Sequence, residues 1–208
     1  MFYFVKTPLP IIKTMPWFVW RMSRKEKLVY LTFDDGPTLD ITPWVLETLE
    51  NYNAKATFFC LGENIRQHPE IFENIKQQGH AVGNHTYHHL NGWKTPKQEY
   101  VADVSLFETM FKAKMFRPPY GKMTPGQVKN LKKKYKLIMW DVISGDFDLK
   151  VSPEKCLANV TENTQNGSIV VFHDSKNAEA KLRYALPKAL ETLSDRGYTF
   201  ASLKEFDR

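Results

Sequence analysis

Short apolar runs alternate along the chain with longer segments whose apolar side chains recur at helical spacing. The first run, residues 28–33, is rich in β-branched and aromatic side chains and ends in the polar turn Asp34-Asp35-Gly36-Pro37. An apolar run bounded by turn residues predicts a buried strand. The following segment, 40–53, places its apolar side chains on one helical face and predicts a helix.

The same alternation continues along the rest of the chain. Further strands are predicted at 55–60, 80–84, 115–117, 137–142, 168–172 and 198–200. Further helices are predicted at 65–78 with an interruption near Pro69, at 96–112, at 124–135, from Ser152 onward and at 178–193. Alternating strands and helices indicate a parallel sheet flanked by helices.

The length of the chain limits the number of these units. At about 30 residues per unit, the 208 residues hold roughly seven, whereas a complete eight-unit barrel needs about 250 residues. We therefore predict an α/β fold, a distorted or incomplete (β/α)7 barrel with parallel strands in a single domain. This domain would span residues 28–208, after an N-terminal arm at 1–27.

The N-terminal arm is rich in aromatic residues but interrupted by prolines and lysines. It contains no uninterrupted apolar segment of signal-peptide or membrane-spanning length. We expect the arm either to lie on a membrane surface or to pack over the barrel. The sequence predicts a soluble protein without a membrane span, cytoplasmic by default, and makes no prediction of its oligomeric state.

The charge and the cysteines exclude some classes of protein. The net charge is +6, with 29 basic and 23 acidic residues, and the run Lys132-Lys133-Lys134 is expected on the solvated face of a helix. No nucleic-acid-binding motif accompanies it, so nucleic acid is not the predicted partner. Cys60 and Cys156 lie far apart in apolar segments and are predicted to be free buried thiols.

The segment 85–89 carries histidines at metal-ligand spacing. If it forms a helical turn capped by Asn84, His85 and His89 lie four residues apart on one face, close enough to share a metal ion. Asp35, at the end of another strand, would complete a two-histidine, one-carboxylate ligand set. His88 would point elsewhere.

Three more polar features follow predicted strands. Arg117 begins a rigid Arg-Pro-Pro-Tyr-Gly loop, Asp146 lies in a segment with three acids, and His173 ends a buried strand. Taken singly, the loop is equally well explained as a structural turn, and a lone histidine at the end of a strand is more often a core residue. Because the carboxyl ends of parallel strands open onto a shared crevice, all of these features predict one site.

Five ordered segments resemble the motifs of the polysaccharide deacetylase (NodB-homology) family, carbohydrate esterase family 4. They are Thr32-Phe33-Asp34-Asp35-Gly36, His85-Thr86-Tyr87-His88-His89, Arg117-Pro118-Pro119-Tyr120-Gly121, Asp146-Phe147 and Val171-Phe172-His173. The resemblance covers residues 28–203. It implies a distorted (β/α)7 barrel, in agreement with the count of units.

The resemblance also implies roles for these residues. Asp35, His85 and His89 would hold a divalent metal, most often Zn²⁺, with Co²⁺, Ni²⁺ or Mn²⁺ as alternatives. Asp34 would be the catalytic base and His173 the general acid. Arg117 would steady the base, Asp146 would pair with the acid, and the backbone N–H of Tyr120 would help to hold the oxyanion. Asp141 is the competing partner for His173.

The implied activity is the metal-dependent removal of N-acetyl groups from an amino-sugar glycan such as a chitooligosaccharide or peptidoglycan. The alternatives are an O-acetyl esterase acting on xylan or another acetylated polysaccharide, and a non-catalytic glycan-binding relative. Phe147 and Val171 replace the family's usual Trp and Leu beside the acyl group, which affects substrate preference. Trp93 and Tyr120 are expected either to stack on sugar rings or to lie in the core.

Overall fold

The computed structural model describes residues 3–206. Its strands are β1 Phe18–Val19, β2 Leu28–Asp34, β3 Thr57–Cys60, β4 Ala81–Asn84, β5 Met115–Phe116, β6 Lys136–Ile138, β7 Val142–Ile143, β8 Ser168–His173 and β9 Thr199–Phe200. Its α-helices are α1 Leu9–Thr14, α2 Ile41–Glu50, α3 Gly62–Gln67, α4 Pro69–Gln77, α5 Lys97–Phe107, α6 Pro125–Leu131, α7 Pro153–Asn163 and α8 Glu179–Asp195. Short 3₁₀ turns lie at Pro119–Gly121 and Lys204–Phe206.

The strands form one curled sheet in the order β1-β6-β5-β4-β3-β2-β8-β7, with β9 also paired to β2. Every pairing between these strands is parallel. The predicted distorted (β/α)7 barrel is therefore confirmed. As a result, all of the loops that follow the strands open at one end of the barrel.

The barrel interior is filled by side chains from successive strands. Five strands each contribute one buried residue to a single cluster, namely Phe59, Ala81, Met115, Ile138 and Ile169, and Leu203 joins this cluster after β9. The opposite faces of the strands pack against the helices in a larger cluster. Burying both faces of the sheet explains why its strands read as continuous apolar runs.

The N-terminal arm is part of the barrel wall. Among the described residues no pairing joins β6 to β7, and the arm occupies this seam between the two strands. β1 pairs with β6, while the Ile143 N–H donates to the Val5 carbonyl at 2.9 Å and the Thr7 N–H donates to the Asp141 carbonyl at 2.8 Å. Of the two placements predicted for the arm, packing on the barrel is the observed one.

The seam also corrects one predicted strand. The apolar run at 137–142 was expected to form a single strand, but β6 ends at Ile138 and β7 begins at Val142. The intervening residues cross the seam, where Met139 N–H donates to the Val19 carbonyl at 2.8 Å. An apolar run indicates that a segment is buried but not which strand it pairs with. The chain stays largely buried across the seam, although its pairing partner changes there.

Other local predictions have mixed outcomes. The helix expected at 65–78 is interrupted before Pro69 as predicted, and Cys60 and Cys156 are free and buried. The lysine run 132–134 is exposed, but it lies in the turn after α6 and not on a helix. None of the helices within residues 3–206 has the length and apolar character that crossing a membrane requires.

Candidate active site and metal centre

Three potential metal ligands meet at the carboxyl end of the barrel. Asp35 follows β2, and His85 and His89 follow β4; each offers a ligand atom, and these atoms all lie within 4.8 Å of one another. Asp35 Oδ1 lies 3.2 Å from His89 Nε2 and 3.7 Å from His85 Nε2. Ligands about 2 Å from a shared ion are separated by roughly 3–3.5 Å, so the spacing suits a metal ion.

The chemical states of these groups also fit a cation. Asp35 Oδ1 is buried and makes no hydrogen bond within the described part of the chain. His85 Nδ1 lies 2.8 Å from the Arg117 carbonyl oxygen, which can only accept, so Nδ1 carries the proton and Nε2 presents its lone pair. Burial lowers the pKa of His85 to about 4, which keeps this ring neutral near pH 7.

The charge of Asp35 is supported by its surroundings. Burial opposes ionisation of this carboxyl, but the nearby His89, His173 and His85 hold its pKa well below the usual range. Asp35 is therefore a carboxylate at neutral pH. An ionised, unsatisfied carboxylate oxygen facing imidazole nitrogens is the donor set that a divalent transition metal prefers.

The loop that carries the histidines is not the helical turn expected from their spacing. Thr86 and His89 have φ values of 71° and 58°. Asn84 Oδ1 accepts from the Thr86 N–H at 2.7 Å, and Asp103 Oδ2 accepts from two consecutive loop N–H groups at 2.9 and 3.1 Å. As predicted, His88 turns away from the cluster, and its Nδ1 contacts Asp103.

Asp34 is held by a buried arginine. Arg117 Nη1 lies 2.7 Å from Asp34 Oδ1 and also donates to Thr32 Oγ1 at 2.7 Å, while Nη2 donates to the Met139 carbonyl at 3.0 Å. The guanidinium lies over the Phe59 ring, 4.1 Å from its centroid. Arg117 is fully buried, so its charge requires a buried counter-charge, which Asp34 supplies. The arginine in turn fixes the position of this carboxylate.

His173 pairs with Asp146 and not with Asp141. Its Nδ1 lies 2.8 Å from Asp146 Oδ1, and its backbone N–H donates to Asp146 Oδ2 at 2.7 Å. Asp141 instead contacts Lys6 Nζ at 2.8 Å and accepts from Ser168 Oγ at 3.1 Å. Burial alone would lower the pKa of His173, but the charge of Asp146 and its hydrogen bond outweigh burial and raise this pKa to about 10.

Replacing Asp146 with Asn is expected to lower the pKa of His173 by about 1–3 units, because the imidazolium loses a carboxylate within contact distance. The proton would therefore leave His173 at a lower pH than in the parent protein. NMR titration of the His173 ring in the metal-free protein measures this pKa. Asp195→Asn, at an exposed position on α8, is the matched control, and an unchanged pKa in Asp146→Asn would contradict the pairing.

These groups line one cavity of about 540 Å³. Asp34 and His173 lie opposite each other on the neighbouring strands β2 and β8, and both face the cavity together with all three potential ligands. The structure thus brings together the acidic and histidine residues that the motifs predict at this site. Asp146 is not among the residues that line the cavity, but it contacts His173, which is.

Tyr120 lies at the edge of the same cavity. Its ring centroid is 4.7 Å from that of His89, its φ is 60°, and it is 48% exposed. Trp93 is 66% exposed, with Lys122 Nζ 4.9 Å from its ring centroid. The expectation that either aromatic might lie in the core is therefore wrong.

Left-handed backbone conformations are concentrated around the cavity. Asp35, His89 and Tyr120 are non-glycine residues with φ values of 83°, 58° and 60°, and all three line it. Such residues cost roughly 1–3 kcal/mol each and persist where the surrounding structure holds them, most often at functional sites. The backbone itself therefore marks this end of the barrel as a site.

Sequence reasoning missed three residues that shape the site. Asp174 Oδ1 accepts from the Gly36 N–H at 3.1 Å and holds the loop after β2, while Asn64 Nδ2 donates to the Asp35 carbonyl at 2.7 Å. Tyr3 of the arm lines the cavity. The position of Asp174 directly after His173 is a signal that could have identified it; Tyr3 has no comparable signal.

Several known proteins are similar to this chain in sequence. A family model described as Polysaccharide deacetylase matches residues 21–139. A peptidoglycan-N-acetylglucosamine deacetylase from Bacillus cereus is 32% identical over 196 residues, which cover 91% of this chain and 92% of that protein. A chitooligosaccharide deacetylase from Azorhizobium caulinodans is 29% identical over 203 residues, which cover 88% of this chain and 96% of that protein.

A solved structure gives the same assignment. The Bc1960 peptidoglycan N-acetylglucosamine deacetylase, in complex with 4-naphthalen-1-yl-N-oxidanyl-benzamide, matches with a TM-score of 0.87 and 32% sequence identity. The match covers 96% of both chains. The fold, the motifs and the relatives agree, and the chain belongs to the polysaccharide deacetylase family.

Proposed function

We propose that this protein is a metal-dependent hydrolase that removes N-acetyl groups from an amino-sugar glycan of the peptidoglycan or chitooligosaccharide type. One observation carries the proposal: a single cavity is lined by Asp35, His85 and His89 and also by Asp34 and His173. Such a cavity combines a cation site with a carboxylate and an imidazole for proton transfer. The names of two relatives support an amino sugar as the substrate.

We assign the metal site to Asp35, His85 and His89, with Zn²⁺ as the proposed ion, because two imidazole nitrogens and one carboxylate oxygen suit zinc and leave positions open for reactants. Co²⁺, Ni²⁺ and Mn²⁺ are alternatives. When bound, the cation would polarise the acetyl carbonyl and lower the pKa of a water molecule toward about 7.

Asp34 is the proposed general base. The Arg117 guanidinium at 2.7 Å compensates its charge and fixes its orientation, and Asp34 lies next to the metal ligand Asp35. From this position the carboxylate would accept the proton of the attacking water. Proton transfer by a positioned side chain contributes about 10²–10⁴-fold to the rate.

His173 is the proposed general acid. An amine cannot leave easily as an anion, so the departing nitrogen needs a proton as the carbon–nitrogen bond breaks. The contact with Asp146 favours the protonated ring. A divalent cation held nearby would oppose part of that increase and bring the pKa of His173 closer to 7. The Tyr120 backbone N–H is proposed to donate to the developing oxyanion, a role typically worth about 3–4 kcal/mol.

Acetate release from a panel of glycans tests the proposal. The panel contains N-acetylglucosamine oligomers, purified peptidoglycan and O-acetylated xylan, each with Zn²⁺ and after complete chelation. We expect metal-dependent acetate release from an amino-sugar substrate. Release from xylan alone would favour the O-acetyl esterase, and binding of these glycans without turnover would favour the non-catalytic alternative. Full activity after removal of all metal would contradict the mechanism.

A further inference from the structure

The N-terminal arm runs along β7 toward the cavity. Thr7 is hydrogen-bonded to Asp141 before the strand, and Val5 is hydrogen-bonded to Ile143 at its carboxyl end. Lys6 forms an antiparallel bridge with Val142, and its Nζ lies 2.8 Å from Asp141 Oδ2. The arm thus approaches the catalytic end of the barrel as it is followed backward along the chain, and a buried carboxylate fixes its register.

In this register Tyr3 lies in the wall of the cavity. The Tyr3 ring lies 5.2 Å from the Phe147 ring, and the Phe147 ring lies 5.1 Å from that of His173. The Tyr3 hydroxyl lies close to the Asp148 carboxylate, and a Cβ at Gly145 would approach this hydroxyl to 2.8 Å. Tyr3 is therefore enclosed by neighbours at both its ring and its hydroxyl.

The wall that Tyr3 joins is the apolar side of the cavity. Ile143, Phe147 and Val171 line it beside His173, whereas the potential metal ligands follow β2 and β4. With the acetyl carbonyl directed toward the metal ligands and the amide nitrogen toward His173, the methyl group would lie against this apolar wall. Phe147 is smaller than the Trp of the family pattern, and the arm adds a second ring against it.

We propose that Tyr3 is a specificity-determining residue, which together with Phe147 closes the apolar wall and restricts the acyl group to acetyl. This inference rests on the proposed function. It gives the N-terminal arm, which lies outside the predicted catalytic domain at 28–208, a role in substrate selection. A pocket wall distinguishes acyl chains that differ by one methylene by about 10–200-fold.

The test compares N-acetyl and N-propionyl glucosamine oligomers as substrates. In Tyr3→Ala we expect the ratio of kcat/KM for N-propionyl over N-acetyl substrate to rise by about 10-fold or more. Tyr3→Phe keeps the ring and loses only the hydroxyl beside Asp148, so its ratio should stay within about two-fold of the parent. A ratio in Tyr3→Ala equal to that of the parent would overturn the inference.

A second variant displaces the arm without changing the wall residue. Lys6→Met removes the ion pair with Asp141, and we expect the substrate ratio to shift in the same direction, with no further shift in the double variant Tyr3→Ala/Lys6→Met. Lys13→Met, at an exposed position on α1, is the control and should leave the ratio unchanged. Additive effects of Tyr3→Ala and Lys6→Met would contradict the claim that the Lys6–Asp141 ion pair positions Tyr3 in the cavity wall.

The outcomes separate this inference from the proposed function. A parent protein that releases acetate, combined with an unchanged ratio in Tyr3→Ala and Lys6→Met, overturns only the role of Tyr3. A parent protein that releases neither acetate nor propionate from any glycan overturns the deacetylase proposal and the inference that rests on it.

Discussion

Asp34→Asn is expected to reduce turnover by about 10²–10⁴-fold, because the amide cannot accept the proton of the attacking water. Metal binding should persist, since Asp35, His85 and His89 are all retained. The Asn oxygen can still accept from Arg117, which lies 2.7 Å from the carboxylate in the parent protein. The measurements are kcat on an N-acetylglucosamine oligomer and metal content by elemental analysis.

The control for this substitution is Asp40→Asn, the same chemical change at an exposed position before α2. It should leave both turnover and metal content at parental values. Parental turnover in Asp34→Asn would show that another group accepts the proton. Loss of metal in Asp34→Asn would instead place this carboxylate among the ligands.

His85→Ala is expected to weaken metal binding by at least about 100-fold, because even the loss of an outer-shell partner of a metal site costs about 10–100-fold. Turnover should fall with metal occupancy. Titration with Zn²⁺ in the presence of a competing chelator measures the affinity, and acetate release at the same metal concentrations measures the activity.

The loop itself supplies the matched control for His85→Ala. His88 belongs to the same five-residue motif but contacts Asp103, so His88→Ala should retain the metal. The comparison separates loss of a ligand from disturbance of the loop. Equal metal affinities in His85→Ala and the parent protein would refute the ligand set.

Much of the fold was predictable because it depends on local patterns. The apolar runs mark strands that are buried on both faces, and turn residues such as Gly36 and Pro69 mark where strands and helices end. Parallel order then brings the ends of the strands together, so Asp34, His85 and His173 could be assigned to one site without knowledge of any contact between them.

The unpredicted features depend on contacts between distant residues or on backbone conformation. Spacing alone does not distinguish Asp141 from Asp146. The family resemblance favours Asp146, and the register of β7 beside β8 brings this residue to His173. The spacing of His85 and His89 suits a helical turn, but the conformation at Thr86, with φ of 71°, excludes it. The pairing of residues 5–7 with β7 and the residue before it spans more than 130 positions along the chain, as for Lys6 and Asp141.

The seam between β6 and β7 has a practical consequence for preparing the protein. Because the arm follows β7 to its carboxyl end, any affinity tag fused upstream of Tyr3 joins the fold at the rim of the catalytic cavity. β9 pairs with the first residues of β2, so the segment that ends the described part of the chain lies at the far end of the barrel. A tag fused beyond this segment keeps added residues away from the glycan in every measurement described above.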